Sequence, residues 1–299
     1  MNARLLFVHA LSPLHAGTGQ GVGVIDLPIA REKATNLPYL PGSSLKGTMR
    51  DALSGEINDD LRCKLFGPEN DKAKEYAGSV QFSDQRLFLL PVRSLVGTFA
   101  WTTSPYILQR LLRDAESAGG TDAPTGVPRP ATLGHCILTK ETGVLSSDSV
   151  YLEDLDLNSD ADADQRQLAT TWATWIGQQV FPGTDAASDE WRKMLSARFC
   201  VVHDDAMSFL LETATEVTAR IKLQDDTKTA QDGALWYEEA LPTESILYGL
   251  VVATPVRRFE DELDNTRIFN AIAMLASYPM QFGGKATVGR GFCRMQMQQ

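Results

Sequence analysis

The two ends of this chain each read as a strand–helix–strand run, and a long stretch from Pro91 to Ser245 lies between them. Arg4 to Leu11 is patterned as a buried strand. Leu45, Met49, Ala52 and Leu53 then recur at helical spacing, and Ser79 to Leu89 sets Val80 and Phe82 against polar neighbours as a strand does. Near the C-terminus, Ile246–Thr254 reads as a strand, Ile268, Ile272, Leu275 and Ala276 mark a helix, and Gly291–Met297 forms a last strand. Joined, the two runs give βαββαβ. The expected fold class is therefore α+β, with a ferredoxin-like palm on the plan of the RNA-recognition fold, spanning residues 1–90 and 245–299.

The intervening stretch is too long for a loop and must carry structure of its own. Ser104–Ala115 and Gln165–Gln179 read as helices, the second with Trp172, Trp175 and Ile176 on one side. A large, mostly helical insertion is expected over 91–213. From Thr215 to Trp236, apolar and polar residues alternate on either side of Gln224-Asp225-Asp226-Thr227, which predicts a protruding β-hairpin, a thumb, within 214–244.

Composition narrows the classes. No apolar run reaches transmembrane length, the N-terminal residues run straight into a strand pattern, and Cys63, Cys136, Cys200 and Cys293 are scattered without a C-x-x-C pair. A cytoplasmic protein without a membrane partner or a cysteine zinc site is expected. The net charge of −10 runs against nucleic-acid binding, because phosphate neutralisation supplies most of that affinity. The acids cluster, however, at Asp154–Asp164, Asp185–Glu190 and Asp204–Asp205, while Lys46, Arg50, Lys285, Arg290 and Arg294 lie near the glycine-rich segments and can form a local positive face.

The densest of those segments runs from Phe282 to Gly291, where Gly283, Gly284, Gly289 and Gly291 alternate with Lys285, Thr287 and Arg290. Glycine backbones approach a ligand closely and let successive N–H groups converge on phosphate oxygens. The order matches neither a Walker loop nor a dinucleotide fingerprint, and it is richer than a turn needs, so a nucleic-acid phosphate chain is the expected ligand. Lys46 and Arg50 stand one turn apart on the first helix, behind a Pro41-Gly42-Ser43-Ser44 entry in which a serine can cap. Asp26, in an extended segment, could bind Mg²⁺ or take a ribose 2′-hydroxyl proton, and His15 could assist. By spacing alone, both read as ordinary surface loop residues. The Glu238–Glu239 pair beside Trp236 and Tyr237 reads as a strand end with solvated acids. The Asp160, Asp162, Asp164 run lacks the glycine and the final glutamate of a calcium loop.

Several of these segments together resemble one family. They are Leu11-Ser12-Pro13-Leu14-His15-Ala16-Gly17-Thr18-Gly19-Gln20-Gly21 (part of a loop with glycines at alternate positions up to Gly23), Ile25-Asp26-Leu27-Pro28-Ile29, Leu40-Pro41-Gly42-Ser43-Ser44-Leu45-Lys46-Gly47, Tyr237-Glu238-Glu239-x-Leu241-Pro242 and the C-terminal glycine loop. In this order they resemble the RAMP superfamily, and in particular the backbone subunits of the type III-B CRISPR effector, the Cmr complex. The resemblance implies a subunit that stacks in several copies along a guide RNA beside other Cmr subunits, holding the guide in the palm and displacing single bases with the thumb. It implies cleavage of complementary target RNA at regular intervals of about six nucleotides, with sequence read by base pairing to the guide. The reaction implied is a metal-dependent endoribonuclease reaction with Mg²⁺ or Mn²⁺ at a catalytic Asp26. His15 and Glu238 match positions implicated alongside it. Ser43, Lys46, Arg50, Gly283, Gly284, Lys285, Gly289 and Arg290 match RNA-binding positions. Ala240 departs from the tyrosine common in relatives at that place. A guide-binding subunit that does not cut, or a guide-processing endoribonuclease of the same superfamily, are the alternatives.

Overall fold

A computed structural model describes residues 2–19, 25–52, 59–68, 76–120, 122–224, 226–227, 229–254 and 263–298. Gly21, Gly23, Leu53 and Asp225 lie outside the described residues. In chain order the elements are β1 Ala3–Ala10, β2 Tyr39–Leu40, α1 Gly42–Ala52, α2 Asp59–Phe66, β3 Val80–Phe82, β4 Gln85–Arg93, β5 Phe99–Thr103 and α3 Pro105–Ser117. They continue with β6 His135–Leu138, β7 Ser149–Leu152, β8 Leu155–Ser159, α4 Ala163–Val180, α5 Ala186–Arg198, β9 Phe199–Val202 and α6 Asp204–Thr213. The last are β10 Glu216–Leu223, β11 Ala230–Ala240, β12 Ile246–Ala253, α7 Asn265–Ala276, β13 Met280–Gln281 and β14 Phe292–Met297.

One sheet runs β13-β14-β1-β12-β4-β5-β9-β6-β8-β7, with β2 on β4 and β3 on β12. Within it, β14-β1-β12-β4 is an antiparallel set whose members come from the fourth, first, third and second strand positions of the βαββαβ series. The strand expected over Ser79–Leu89 is two strands, because Ser83 and Asp84 interrupt it. The Ser83 hydroxyl accepts from Leu250 N, and the Asp84 carboxylate accepts from Gly42 N at 2.9 Å. Asp84 thus takes the first N–H of α1, the place expected for a serine cap; Ser43 and Ser44 lie inside the first turn instead. The Cβ of any other residue at position 42 would meet Phe82 O at 2.4 Å, which explains the glycine there.

The insertion contains helices α3 to α6, but also strands β5 to β9, which continue the palm sheet. β4 crosses the expected boundary at residue 90. The far edge turns back on the palm: Ser94 bridges Leu152, and Glu153 N donates to Arg93 O. Alternate residues of β1 show what each sheet face holds. Arg4 lies over the ring of Phe269 in α7, whereas Phe7 packs on Trp175 of α4 and His9 on Phe181 and Trp191. The face that an RNA-recognition fold leaves open for stacked bases is here covered by the insertion.

The thumb is the two-stranded β10–β11 hairpin, with Thr218 opposite Glu238, Ala219 opposite Tyr237 and Ile221 opposite Leu235. Alternation gives it two unlike faces. Val217, Ile221, Leu223, Leu235 and Tyr237 are exposed apolar residues on one, and Thr218, Arg220, Trp236 and Glu238 lie on the other.

Candidate functional site at the thumb base

Three segments converge where the thumb leaves the palm. The first is a folded-back pair of limbs near the N-terminus: Ala30 N donates to Ala16 O at 2.7 Å, and Gly17 bridges Ile29. The second is the end of β11, alongside which residues 25–29 run as a short parallel neighbour. Leu27 N donates to Tyr237 O at 3.1 Å, and Glu239 N donates to Leu27 O at 3.0 Å. The third is the glycine loop, joined to the first by Gly284 N donating to His15 O at 2.9 Å and Gly291 N donating to Pro13 O at 2.8 Å.

Asp26 is exposed at this junction. One carboxylate oxygen accepts from Tyr237 N at 2.8 Å, and the other makes no hydrogen bond among the described residues. His15 is only 6% exposed, not the surface residue its spacing suggests. Its Nδ1 lies 2.6 Å from Glu239 O. A carbonyl only accepts, so Nδ1 carries the hydrogen, and in the neutral ring Nε2 is left as an acceptor. The ring sits between Gly17 and Gly284: a Cβ at Gly17 would meet Nε2 at 2.6 Å and one at Gly284 would meet Cδ2 at 3.3 Å, while one at Gly283 would meet the main-chain oxygen of His15 at 2.3 Å. The close approach expected of these glycines is thus made partly to His15.

The same packing changes the reading of the loop's donors. The N–H groups of Gly284, Gly289, Arg290 and Gly291 all bond backbone carbonyls. Those of Lys285, Ala286 and Thr287 have no partner among the described residues. They open a 3-10 turn over Ala286–Val288 behind Lys285 at φ 68°, where an anion can be received.

Both glutamates of the pair are buried, at 2% and 3% exposure, against the expectation of solvated acids. They point to opposite faces of β11, and each face is covered. Glu238 meets the glycine loop: Lys285 Nζ lies 2.8 Å away, Trp236 Nε1 donates at 2.8 Å, and Arg220 Nε stands at 3.4 Å. Burial raises its pKa, but the lysine, the indole N–H and Arg220 outweigh this and hold it at about 2. Arg290, also buried, donates to Thr218 Oγ1 at 3.2 Å. Glu239 turns the other way and accepts from Ile29 N at 3.1 Å, Arg31 at 2.5 Å and Thr215 Oγ1 at 3.0 Å. Sequence reasoning passed over Glu239, Arg31 and Arg220. The available signal was the acid pair itself, since consecutive strand residues face opposite ways and a strand edged on both sides buries both.

Asp26, His15, Glu238, Gly283, Gly284, Lys285 and Arg290 therefore gather in one place. Ser43, Lys46 and Arg50 stand apart on α1, which packs on β3 and α2, and no hydrogen bond or ion pair joins them to the thumb base among the described residues. Ser43 is exposed. Arg50 donates to Pro68 O at 3.1 Å. Lys46 has no ion-pair partner among the described residues, and burial, followed by the nearby charge of Arg50, lowers its pKa. The acids of the sequence lie elsewhere: Asp154, Asp156, Asp162 and Asp164 are exposed on the insertion, with Asp162 capping α4. Among the described residues no three or more His, Cys, Asp or Glu side chains are grouped to hold a metal ion, and no helix is long and apolar enough to cross a membrane.

The RAMP superfamily model matches residues 7–294. The Cmr endoribonuclease Cmr4 of Pyrococcus furiosus is 33% identical over 301 residues, covering 100% of this chain and 97% of that protein. The Cmr subunit Cmr4 of Saccharolobus solfataricus is 23% identical, with 97% and 94% covered. Among solved structures, the oligomeric Cmr4 crystal structure from Pyrococcus furiosus superposes with a TM-score of 0.77 at 27% identity over 100% of this chain and 98% of that one. A chain of the type III-B Cmr-beta complex bound to cognate target RNA has the same fold, with a TM-score of 0.72 at 22% identity over 99% and 96%. By sequence and by fold, the chain belongs to the RAMP superfamily, and within it to the Cmr4 family.

Proposed function

We propose that this chain is the repeating backbone subunit of a cytoplasmic CRISPR RNA-guided complex. It holds guide RNA, stacks with other copies of itself and with other Cmr subunits, and cuts complementary target RNA at regular intervals. One observation carries the cutting: Asp26 presents a free carboxylate oxygen at the foot of a protruding hairpin, beside the loop N–H groups that can receive a phosphate. The Pyrococcus furiosus relative is named an endoribonuclease, and its crystal structure is described as oligomeric, which supports both halves of the reading.

Cleavage of RNA by its own 2′-hydroxyl needs in-line geometry, a proton acceptor and neutralised phosphate charge. The exposed apolar thumb face, Val217, Ile221, Leu223, Leu235 and Tyr237, is suited to enter between bases and splay one out, which a regular duplex forbids. Asp26 or the Nε2 acceptor of His15 takes the hydroxyl proton. Glu238, bound by Lys285, Arg220 and Trp236, is held ionised and ties the thumb to the glycine loop; it positions these parts rather than moving a proton. Lys46 and Arg50 on α1 and the Lys285–Thr287 donors hold the guide backbone, while base pairing reads sequence.

Asp26 is also the residue that would hold Mg²⁺ or Mn²⁺. A single carboxylate fits a hard cation whose remaining ligands are RNA phosphate oxygens and water, and the neighbouring Glu238 and Glu239 are committed to cations of the protein. Bound there, the ion supplies charge neutralisation on the cleaved phosphate. The test is Asp26→Ala in the assembled complex with guide and complementary target. Loss of the regular cuts with target still bound is expected. Unchanged cutting would leave a guide-binding scaffold that does not cut.

A further inference from the structure

Asp26 and His15 come from separate loop segments, and neither is fixed by a helix or a sheet strand of its own. Besides the main-chain links of Ala30 to Ala16 and Gly17 to Ile29, one residue touches the supports of both. We propose that Glu239 is the positioning residue of the thumb-base site, its buried carboxylate and its main chain together fixing where Asp26 and His15 stand. This rests on the reading of Asp26 as the residue that cuts.

Every polar group of Glu239 except part of its lone-pair capacity is engaged. The main-chain N–H donates to Leu27 O, and the main-chain carbonyl receives His15 Nδ1 at 2.6 Å. The carboxylate accepts from Ile29 N, so both residues flanking Pro28 are tied to this one residue, and Asp26 precedes them directly. Arg31, on the same segment, makes the charged contact, and it is itself fixed by donating to Asn36 O at 3.1 Å and to Leu211 O of α6 at 2.8 Å. Thr215, at the start of the thumb, makes the third contact to the carboxylate. The Asp26 limb and the start of the thumb therefore meet at one carboxylate, the His15 limb meets the main-chain carbonyl of the same residue, and α6 reaches it through Arg31; the residue is 3% exposed.

Removing that carboxylate leaves the Ile29 N–H without its acceptor in a buried setting and Arg31 without its counter-charge, both of which favour local rearrangement over simple vacancy. The segment carrying Asp26 would then be held to β11 by the Leu27 main chain and by Asp26 itself. Small displacements matter here because in-line attack tolerates little misalignment. Glu238 makes no contact with this segment through its side chain; its carboxylate serves the other face of β11. The two adjacent glutamates thus divide the work, one fastening the thumb to the glycine loop and one fastening the cutting segment to the thumb.

The test uses the reconstituted complex with guide and a complementary target, comparing Glu239→Ala, Glu239→Gln, Asp26→Ala and the unaltered chain. Glu239→Ala is expected to lower the single-turnover cutting rate at saturating target by about 100-fold, the scale of an ångström's misplacement, with target affinity and guide content unchanged. Glu239→Gln keeps an oxygen for Ile29 N and is expected to recover the rate to within about tenfold of the unaltered chain, but not fully, since the charge facing Arg31 is gone. A purely structural role would lower assembly and affinity along with rate and would show no such recovery. If Glu239→Ala fails to assemble, Glu239→Gln decides alone: a rate equal to that of the unaltered chain overturns the proposal. Hydrogen exchange at the Ile29 amide of the full chain gives a readout that does not need cutting. Protection there is expected to fall in Glu239→Ala and to persist in Asp26→Ala, and unchanged protection in Glu239→Ala overturns the proposal. Failure of the unaltered complex to cut, or cutting by Asp26→Ala, would instead defeat the nuclease reading while the exchange result still judges Glu239.

Discussion

The thumb base and helix α1 both carry cations that a phosphate chain could meet, but they hold them differently. At the thumb base most of the cations already face an acid: Lys285 and Arg220 share Glu238 and Arg31 pairs with Glu239, while Arg290 is buried and donates to Thr218. On α1, Lys46 has no ion-pair partner among the described residues, and Arg50 meets only a carbonyl, Pro68 O. A matched pair adds little attraction for an incoming anion, whereas an unmatched cation can neutralise a phosphate in full. The difference teaches a division of labour. Under the function proposed above, helix α1 supplies most of the attraction for the guide, and the thumb base supplies geometry for cutting. This also accommodates the net charge of −10, because most of the excess acid lies on the insertion.

The comparison is broken most directly by removing the α1 cations. Lys46→Ala with Arg50→Ala should cause the largest loss of guide-RNA affinity, and the slope of log affinity against log salt should shrink by about 0.7 for each single-strand phosphate that is no longer neutralised. Lys285→Ala should cost less affinity than Lys46→Ala, because its charge is balanced by Glu238. Filter binding over a salt series checks both, and an inverted order would remove the distinction.

A smaller effect sharpens the thumb side. Glu238 is held at about 2 against an ordinary 4.5, so the stability it contributes is present above about 4.5 and is lost as pH falls towards 2. Glu32, held at about 2 chiefly by Arg110 with further help from Thr35 and Arg86, contributes in the same window. Thermal unfolding of Glu238→Gln should therefore depend less on pH between 4.5 and 2 than that of the unaltered chain, without losing the dependence entirely. Equal pH dependence would deny the Lys285–Glu238 tie. The smallest change is Ser43→Ala. The residue is exposed inside the first turn while Asp84 takes the Gly42 N–H, so stability should shift by no more than about 0.5 kcal/mol in denaturant unfolding.

Periodicity made much of the palm and thumb legible. α7 and the β10–β11 hairpin announce themselves by periodicity, and β1 and β12, buried on both faces, by apolar runs of strand length. The end of β9 shows in the sequence, because His203-Asp204-Asp205 reads as a strand end running into a helix cap, and His203 caps α6. Strands β5 to β8 do not show: they are only four or five residues long, and β5 and β6 are buried almost throughout and lose the alternation that marks a strand. The break between β3 and β4 depends on Asp84 reaching Gly42, a contact between residues far apart in sequence. The candidate site divides in the same way. The glycine loop and the acid pair stand out in the sequence, but the burial of His15 and the hub at Glu239 arise only when three distant segments meet.

The central claim, that cutting belongs to the thumb base and holding to α1, is tested by assaying guide content and target cleavage on the same complexes carrying either Asp26→Ala or the Lys46→Ala, Arg50→Ala pair. The account predicts that Asp26→Ala complexes retain guide and bound target but yield no regularly spaced cuts, while the α1 variant loses guide. Regularly spaced cuts surviving in the Asp26→Ala complex would contradict it.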